Sequence, residues 1–546
     1  MTMDKRIERI AAQFEEQKVS AQRVQWESYW DQVAVYVQPD IYDKYHTLSG
    51  GPETNPECLD STAQDSNLLL ASSLHFAYTN KAVDWFSAGC DDAALMKQSE
   101  IKQYYQEVTR TMMIRMEQSS FYPAIFANWL HLPSFGTSAL FIEGREDGQI
   151  RVKPLPIYSV YPVENWEGMV DTVFVLYRFT PYQLVSRWPH LAGVEDFAKV
   201  LARDPYKTIE VVHYAGPVDG FEGALFDERK AFVDIYYWPE KKMVLNLKEG
   251  RYDGFHEFPY CVPRWYQPFD APYGIGPGIY ALPTLKSLNK TIEIKFEVLG
   301  LVSSPPQKTT EDNILEILPK GKMEPGAVVV CRNPDRLQPY LTGANIPITE
   351  MEVDRMVTKI EDMFFTKELR LAPDRPEMTA YEINKRLEIV HRLLGPVGEK
   401  VERELLNQAL GRIYGILDRA NKFPERPAAL NKKGVDRFEY SSPMAMARKL
   451  ASVQKIQAFL GFLGSLLQVE PDLRFMLDNY KAAQRVAEQL GFPLDLLVDQ
   501  KKYDKIVQEN RQMAMQREQL AQAETAAGTA QRAGRAAQSM KQAGIL

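Results

Sequence analysis

The sequence predicts an α+β protein, mainly helical, with one stretch of antiparallel strands. Three observations point there. Apolar residues recur at spacings of three and four over residues 3–37, 67–132, 279–302 and 380–420, which is helical period. Between residues 139 and 268, Val, Ile, Tyr and Phe gather in short runs separated by turn residues, as strands do. Residues 271–379 leave and rejoin the helical pattern as helix, insertion, helix, loop. Helices followed by a block of consecutive strands give an α+β unit.

Taken in order, residues 3–37 predict one long helix, with Ile7, Ile10, Phe14 and later Val19, Trp26, Trp30, Val33 and Val37 along an interrupted apolar stripe. Trp26 and Trp30 are four apart and share a face, a pattern that fits core packing. Residues 40–63 read as loop, Asn67 to Thr79 as helix, and Trp85-Phe86 as a large buried aromatic pair. Glu100 to Glu117 and Tyr122 to Leu132 predict two further helices. Strand candidates follow at 150–152, 158–161, 172–179, 208–214, 231–238, 243–247 and 258–265, with short helices at 181–188 and 194–201.

The excursion opens on Ala271-Pro272-Tyr273-Gly274-Ile275-Gly276-Pro277-Gly278, too rich in breakers for an element interior. Ile279, Leu282, Leu285, Leu288, Ile292, Phe296 and Leu299 then mark a helix, regular from about Leu282 because Pro283 belongs in a first turn. Ser303-Ser304-Pro305-Pro306 stops it. Residues 307–348 carry short apolar runs broken by Pro and Gly, a compact strand-and-turn module. Helix resumes at Thr349, with Glu352 completing a capping box, and ends before an irregular loop at 366–378. Two such helices cannot cover an apolar stripe on every side by themselves. Neighbouring copies are therefore expected to cover it, and the sequence suggests an oligomer.

Ala380 to Ala420 predicts an unusually long helix, kinked near Leu393 because Gly395-Pro396 removes a backbone hydrogen bond and crowds the preceding turn. Residues 421–440 read as a polar connector. Residues 443–498 form a helical unit, and the Gln/Ala/Arg-rich tail from Tyr503 is weakly helical or disordered unless many copies bundle.

With 546 residues and 45% hydrophobic residues, a sizeable core is available. The formal net charge of −7 argues against a broad basic face gripping nucleic acid, while leaving room for a channel through which DNA slides. Cys58, Cys90, Cys261 and Cys331 lie far apart without zinc spacing and read as reduced thiols. The longest nearly apolar stretch, near 459–469, is too short to span a bilayer, so no membrane insertion is expected. Catalytic constellations are absent from the pattern. Gly274-Ile275-Gly276-Pro277-Gly278 lacks both Rossmann spacing and a Walker lysine, and Pro277 removes one amide donor. None of the seven histidines sits in an HExxH pattern, and His131 fits a structural role. No cofactor and no metal are expected.

An ordered set of motifs carries a resemblance: Trp26 to Pro39, Leu59-Asp60-Ser61-Thr62, Trp85-Phe86, Ser120-Phe121-Tyr122, Phe135-Gly136-Thr137-Ser138-Ala139, Tyr273 to Gly278, and Leu394-Gly395-Pro396-Val397. Over roughly residues 5–420 the chain resembles the head-to-tail connector, or portal protein, of short-tailed double-stranded DNA phages. The resemblance implies a portal-like fold with a β-rich wing (1–270), first stem helix (271–302), clip (303–348), second stem helix (349–365), channel loop (366–378), long kinked wing helix and connector (379–442), helical crown (443–502) and C-terminal tail (503–546). It implies a homo-oligomeric ring, dodecameric in the family, at one capsid vertex of the virion, assembled in the host cytoplasm. Its implied partners are double-stranded DNA in transit, a terminase, tail adaptor or nozzle proteins, and capsid and scaffolding proteins. Ile275 departs from the pattern, standing where many relatives carry a basic residue.

Two charged groups then become candidates. Glu350, Glu352, Asp354, Glu361 and Asp362 outnumber the cations of the second stem helix; repeated around a ring they form a negative band that keeps DNA centred, or they pair between subunits with Lys286, Lys290 or Lys295. Lys367, Arg370 and Arg375 in the channel loop either touch the DNA backbone nonspecifically or pair with Glu368, Asp374 or Glu377. The rival reading is a soluble nucleic-acid-processing enzyme with a helical oligomerisation arm, which would need a pocket with convergent polar groups.

Overall fold

The structure, a computed structural model, describes residues 5–39, 58–303 without 93, 146, 222 and 270, then 307–309, 328–330, 346–369, 395, 397–430, 437–440 and scattered positions from 459 to 536. The chain divides into two compact units, residues 1–444 and 445–546. In the second unit every described position is helical.

The first unit opens with α1 (Lys5–Val19) and α2 (Ala21–Val37), two helices where the periodicity suggested one. Ser20 makes the break. Its hydroxyl accepts the Arg23 amide at 3.2 Å, capping a new helix. The two helices then serve different cores. Ile7, Ile10 and Phe14 of α1 cover a sheet, while Trp30, Val33 and Val37 of α2 enter a helical core. Trp26 and Trp30 lie 6.2 Å apart between ring centres, and Trp30 is fully buried.

The helical core gathers α3 (Thr62–Tyr78), α4 (Ser99–Glu117) and α5 (Phe121–Phe135) with the helical segment ending at Arg419. Trp85 and Phe86 are buried within it, and β1 (Phe86–Gly89) pairs antiparallel with Arg437–Tyr440. Strands then accumulate as the composition predicts. β2 (Ala139–Gly144) lies between β3 (Ile150–Leu155) and Tyr260–Cys261 and pairs with both. The larger sheet runs β4 (Val160–Glu164), β5 (Val170–Phe179), β6 (Ile209–Pro217), β7 (Phe232–Trp238) and β8 (Met243–Val244), with β9 (Asp253–Phe255) also on β7. All of these pairings are antiparallel.

β5 reads as a nearly continuous apolar run because both its faces are covered. Val173, Val175 and Tyr177 point into a core with Leu184, Leu191 and Phe197, which come from the two short helices α6 (Pro181–Arg187) and α7 (Glu195–Arg203) and the turn between them. Phe174 points the other way, beneath Phe14 of α1, with ring centres 5.7 Å apart.

The Gly/Pro stretch is where the β-rich part meets the next long helix. Gly136 ends α5 in the left-handed conformation, at φ +74°, and a Cβ there would strike the Gly274 carbonyl. Side chains at Gly274, Gly276 and Gly278 would run into the carbonyl oxygens of Gly136, Pro133 and Ser134. Backbone therefore packs directly on backbone. Two of the amides that a phosphate loop would offer are already given away: Gly274 N–H to Thr137 Oγ1 at 2.7 Å and Ile275 N–H to the Tyr266 carbonyl at 2.6 Å.

The next helix, α8 (Pro277–Ser303), starts at Pro277, earlier than the periodicity placed it, because proline suits a first helical position. Pro283 is tolerated inside, on an exposed face. Within the expected clip, Gln307–Thr309 pairs in parallel with Val328–Val330. The return helix α9 (Ile346–Met363) starts three residues before Thr349, so that threonine is already helical and the expected capping box does not begin the element. Phe365, at φ +58°, breaks the chain direction, and Thr366–Leu369 forms a short helical turn where loop was expected. Gly395 and residues 397–401 are helical, Glu402–Leu406 forms a π turn, and Asn407–Arg419 completes the element. Pro396, and with it the predicted kink, falls outside the described residues.

Gly276→Ala should lower stability by about 1–3 kcal/mol in denaturant titration, since the extra methyl overpacks a backbone contact. Gly411→Ala, in a helix with no atom within 4 Å of the new Cβ, should instead be neutral or gain roughly 0.5–1 kcal/mol.

Candidate functional site

The helix pair α8 and α9 holds the candidate residues. Lys295 near the end of α8 reaches Glu350 near the start of α9 at 3.3 Å, so the two helices run antiparallel. The apolar stripe of α8 changes environment along its length. Leu282, Leu285 and Leu288 are buried, and Ile292 packs against the core. Beyond it, Ile294, Phe296 and Leu299 are 47%, 61% and 41% exposed, and Met351 of α9 is 71% exposed. At its other end α9 is anchored by Ile360 and Phe364, both fully buried. The pair is thus rooted in the body at one end and carries uncovered apolar surface at the other.

The acidic residues of α9 are partly neutralised within one chain. Besides the Lys295 contact, Glu352 meets Arg355 at 3.6 Å and Asp362 meets Lys367 at 2.7 Å. Glu350, Glu352, Asp354 and Asp362 are exposed, and Glu361 is half-buried. Of the stem cations, only Lys295 meets this acidic band among the described contacts. Lys290 pairs with Glu293 on its own helix at 2.8 Å, and Lys286 donates to the Gln32 side chain. These are solvent-facing pairs, each contributing little to stability. Lys367 lies in the turn after α9, half-exposed beside Asp362. Arg370 and Arg375 lie outside the described residues.

Sequence reasoning missed the clamps at the root of the pair. Arg23, 1% exposed, donates to the carbonyls of Tyr158 at 2.6 Å and Val160 at 2.7 Å and to the Tyr273 hydroxyl at 2.6 Å. Its guanidinium also lies 4.0 Å from the Tyr161 ring centre, so α2, the sheet and the Gly/Pro stretch converge on one cation. Arg264, equally buried, forms a fork with Glu404 (2.7 and 3.3 Å), pairs with Glu164, and donates to the Gly168 carbonyl at 3.0 Å. Glu404 sits inside the π turn and also accepts the Arg264 backbone amide at 3.0 Å. The widened turn aims that carboxylate at the Arg264 strand. No spacing in the sequence links residues 164, 264 and 404; only their pairing does.

The other chemistry-bearing groups are structural. His213 is fully buried, bridges Tyr260 and Asp234 (2.8 Å to the latter) and stacks on Tyr236 at 4.1 Å. Burial pushes the His131 imidazole down to about 4, so it stays neutral against Phe135. Cys90 and Cys261 are buried free thiols, Cys58 is a half-buried one, and Cys331 lies outside the described residues. Among the described residues there is no cluster of His, Cys, Asp and Glu able to hold a metal ion, and no helix long and apolar enough to cross a membrane.

Comparison with known proteins follows this geometry. The sequence profile of the family described as "Bacteriophage head to tail connecting protein" matches residues 9–497. The portal protein of Salmonella phage epsilon15 is 26% identical over 522 residues, covering 93% of this chain and 92% of that protein. The probable portal protein of Bordetella phage BPP-1 is 22% identical over 492 residues, covering 88% and 87%. A chain from the virion of a native gene transfer agent particle aligns over 78% of this chain and 93% of its own at 13% identity, with a TM-score of 0.31, too remote a likeness to carry a conclusion.

Arg264→Met should cost about 3–5 kcal/mol in denaturant titration, because it leaves Glu404 charged and buried without its fork. Adding Glu404→Leu should restore most of that loss, the signature of a coupled pair.

Proposed function

The chain belongs to the bacteriophage head to tail connecting protein family, and from that premise we propose that it works as a portal: a ring of identical subunits at one capsid vertex. Through it the genome enters during packaging, is held afterwards, and leaves through the tail. The observation that carries the ring is the uncovered apolar surface of the helix pair, where Ile294, Phe296, Leu299 and Met351 lie in water in the single chain. A stripe of this kind on two helices with a shared buried root is covered when the next subunit presents its own pair alongside.

In this reading α8 and α9 form the stem, and the segment between them is the clip that docks a terminase during packaging and tail adaptors later. The role is passive. ATP hydrolysis and DNA cleavage come from the terminase, and the channel contributes shape and charge. Asp354 and the other acids of α9, repeated around the ring, set up a negative band that weakens phosphate contact and keeps duplex DNA sliding. Within one chain Glu350, Glu352 and Asp362 already have cationic neighbours, so the band is weaker than the carboxylate count alone suggests. Lys367, Arg370 and Arg375 of the channel loop meet the DNA backbone at the constriction, Lys367 with its charge shared with Asp362. Residues 443–502 form the crown facing the capsid interior.

Two outcomes test this. Phe296→Asp with Leu299→Asp should abolish the large species in light scattering while leaving a folded subunit, and an unchanged assembly would remove the stripe from the interface. Arg370→Glu should leave assembly intact and reduce packaged or retained DNA, measured as genome content per particle; normal content would remove the loop from the mechanism.

A further inference from the structure

Away from the stem, β7, β9 and the helix ending at Arg419 enclose a cleft of about 500 Å3. Six cations line it: Arg145, Arg187, Lys230, Lys248, Arg412 and Arg419. Three carboxylates share the lining, Glu143, Asp234 and Asp253, and a fourth, Glu257, holds two of the arginines. The pairing leaves charge over. Glu143 pairs with Arg187, at 2.8 Å. Asp253 is shared by Lys230 and Lys248, and Glu257 by Arg412 and Arg419. Asp234 is turned to the buried His213. Arg145 meets only the Gln149 amide oxygen, at 3.5 Å, among the described contacts.

Each shared carboxylate thus neutralises one of its two cations, and with Arg145 unmatched and Asp234 offsetting one charge, six cations against four carboxylates leave the cleft two positive charges in excess. Arg412 shows the strain of this arrangement. Burial lowers its guanidinium below the ordinary arginine value, and the Arg419 charge adds to that, against the pull of Glu257. Its side chain is only 6% exposed, so a second anion reaching it would act with little competition from water.

We propose that this cleft binds an anion of the phosphate class. An excess of two positive charges calls for a ligand with at least two negative charges, which linked phosphoryl groups supply in one compact unit. Guanidinium forks and lysine ammonium groups match phosphate oxygens in both geometry and charge. The volume exceeds that of one phosphate and suits two linked phosphates or a short run of phosphodiester. Trp188 and Phe255 form apolar wall, with Arg187 lying over the Trp188 ring at 4.9 Å and Arg412 over Phe255 at 5.1 Å, which holds both guanidiniums in place. Every lining residue belongs to one chain, so the proposal does not rest on the proposed ring.

Calorimetric titration of the assembled full-length protein with pyrophosphate at low salt tests it. One site per chain is expected, weakened about tenfold or more by Lys248→Gln combined with Arg145→Gln, two exposed side chains whose loss should leave the fold intact. Lys241→Gln, exposed and outside the cleft, should bind as wild type. Competition by a short DNA duplex would assign the site to a nucleic-acid backbone; failure to compete would assign it to free phosphates. Absence of pyrophosphate binding, equal binding by the double variant, or capture of a poly-glutamate peptide in place of pyrophosphate would overturn the proposal.

Discussion

Backbone packs on backbone where residues 133–136 cross residues 274–278, and the rest of the first unit depends on that contact. Four glycines allow it, because any Cβ at Gly136, Gly274, Gly276 or Gly278 would enter a neighbouring peptide group. The crossing fixes the end of α5 against the start of α8, and so sets the stem helix relative to the helical core that roots it. Arg23 and Arg264 lock the same region from two sides, one through Glu27, the Tyr273 hydroxyl and backbone carbonyls and the other through two carboxylates. Buried cations held this way position elements more than they add stability, since forming the pairs costs most of what they return.

Rigidity at the root gives the exposed half of the stem its meaning. A helix that is anchored by Leu282, Leu285 and Leu288 and then carries Phe296 and Leu299 in water cannot fold back to hide them. Its apolar surface remains available to another copy at a defined angle, which suits the proposed closed ring. The exposed charges of α9, paired only loosely, are free to exchange partners between subunits at low cost.

Much of this was legible in the sequence, and the misses have physical causes. Strand and helix periods located the β-rich part and nearly every helix, because both faces of β5 and the stripes of α4 and α5 are decided by burial. The break at Ser20 was missed because no Gly or Pro marks it; a serine hydroxyl capping Arg23 separates the two helices where the apolar stripe is interrupted. Helix starts at Pro277 and Ile346 were placed late because first-turn residues carry no apolar pattern of their own. The Gly-rich run was read as a breaker, but the purpose of its glycines, close packing against residues 133–136, needed coordinates. Among the site residues, the sequence could say that Lys295 and Glu350 were candidates to meet, though not that they meet within one chain. The Arg264–Glu404–Glu164 cluster was invisible, since its members lie a hundred and more positions apart and each looks like an ordinary surface charge.

The central claim is that the outer half of the stem is covered by neighbouring copies around a hole. Electron microscopy of the purified full-length protein viewed down its symmetry axis tests this most directly. The account predicts a closed annulus with a central opening wide enough for duplex DNA and stem helices side by side along its wall. A solitary compact particle, or an assembly without an opening and with Phe296 and Leu299 still in solvent, would contradict it.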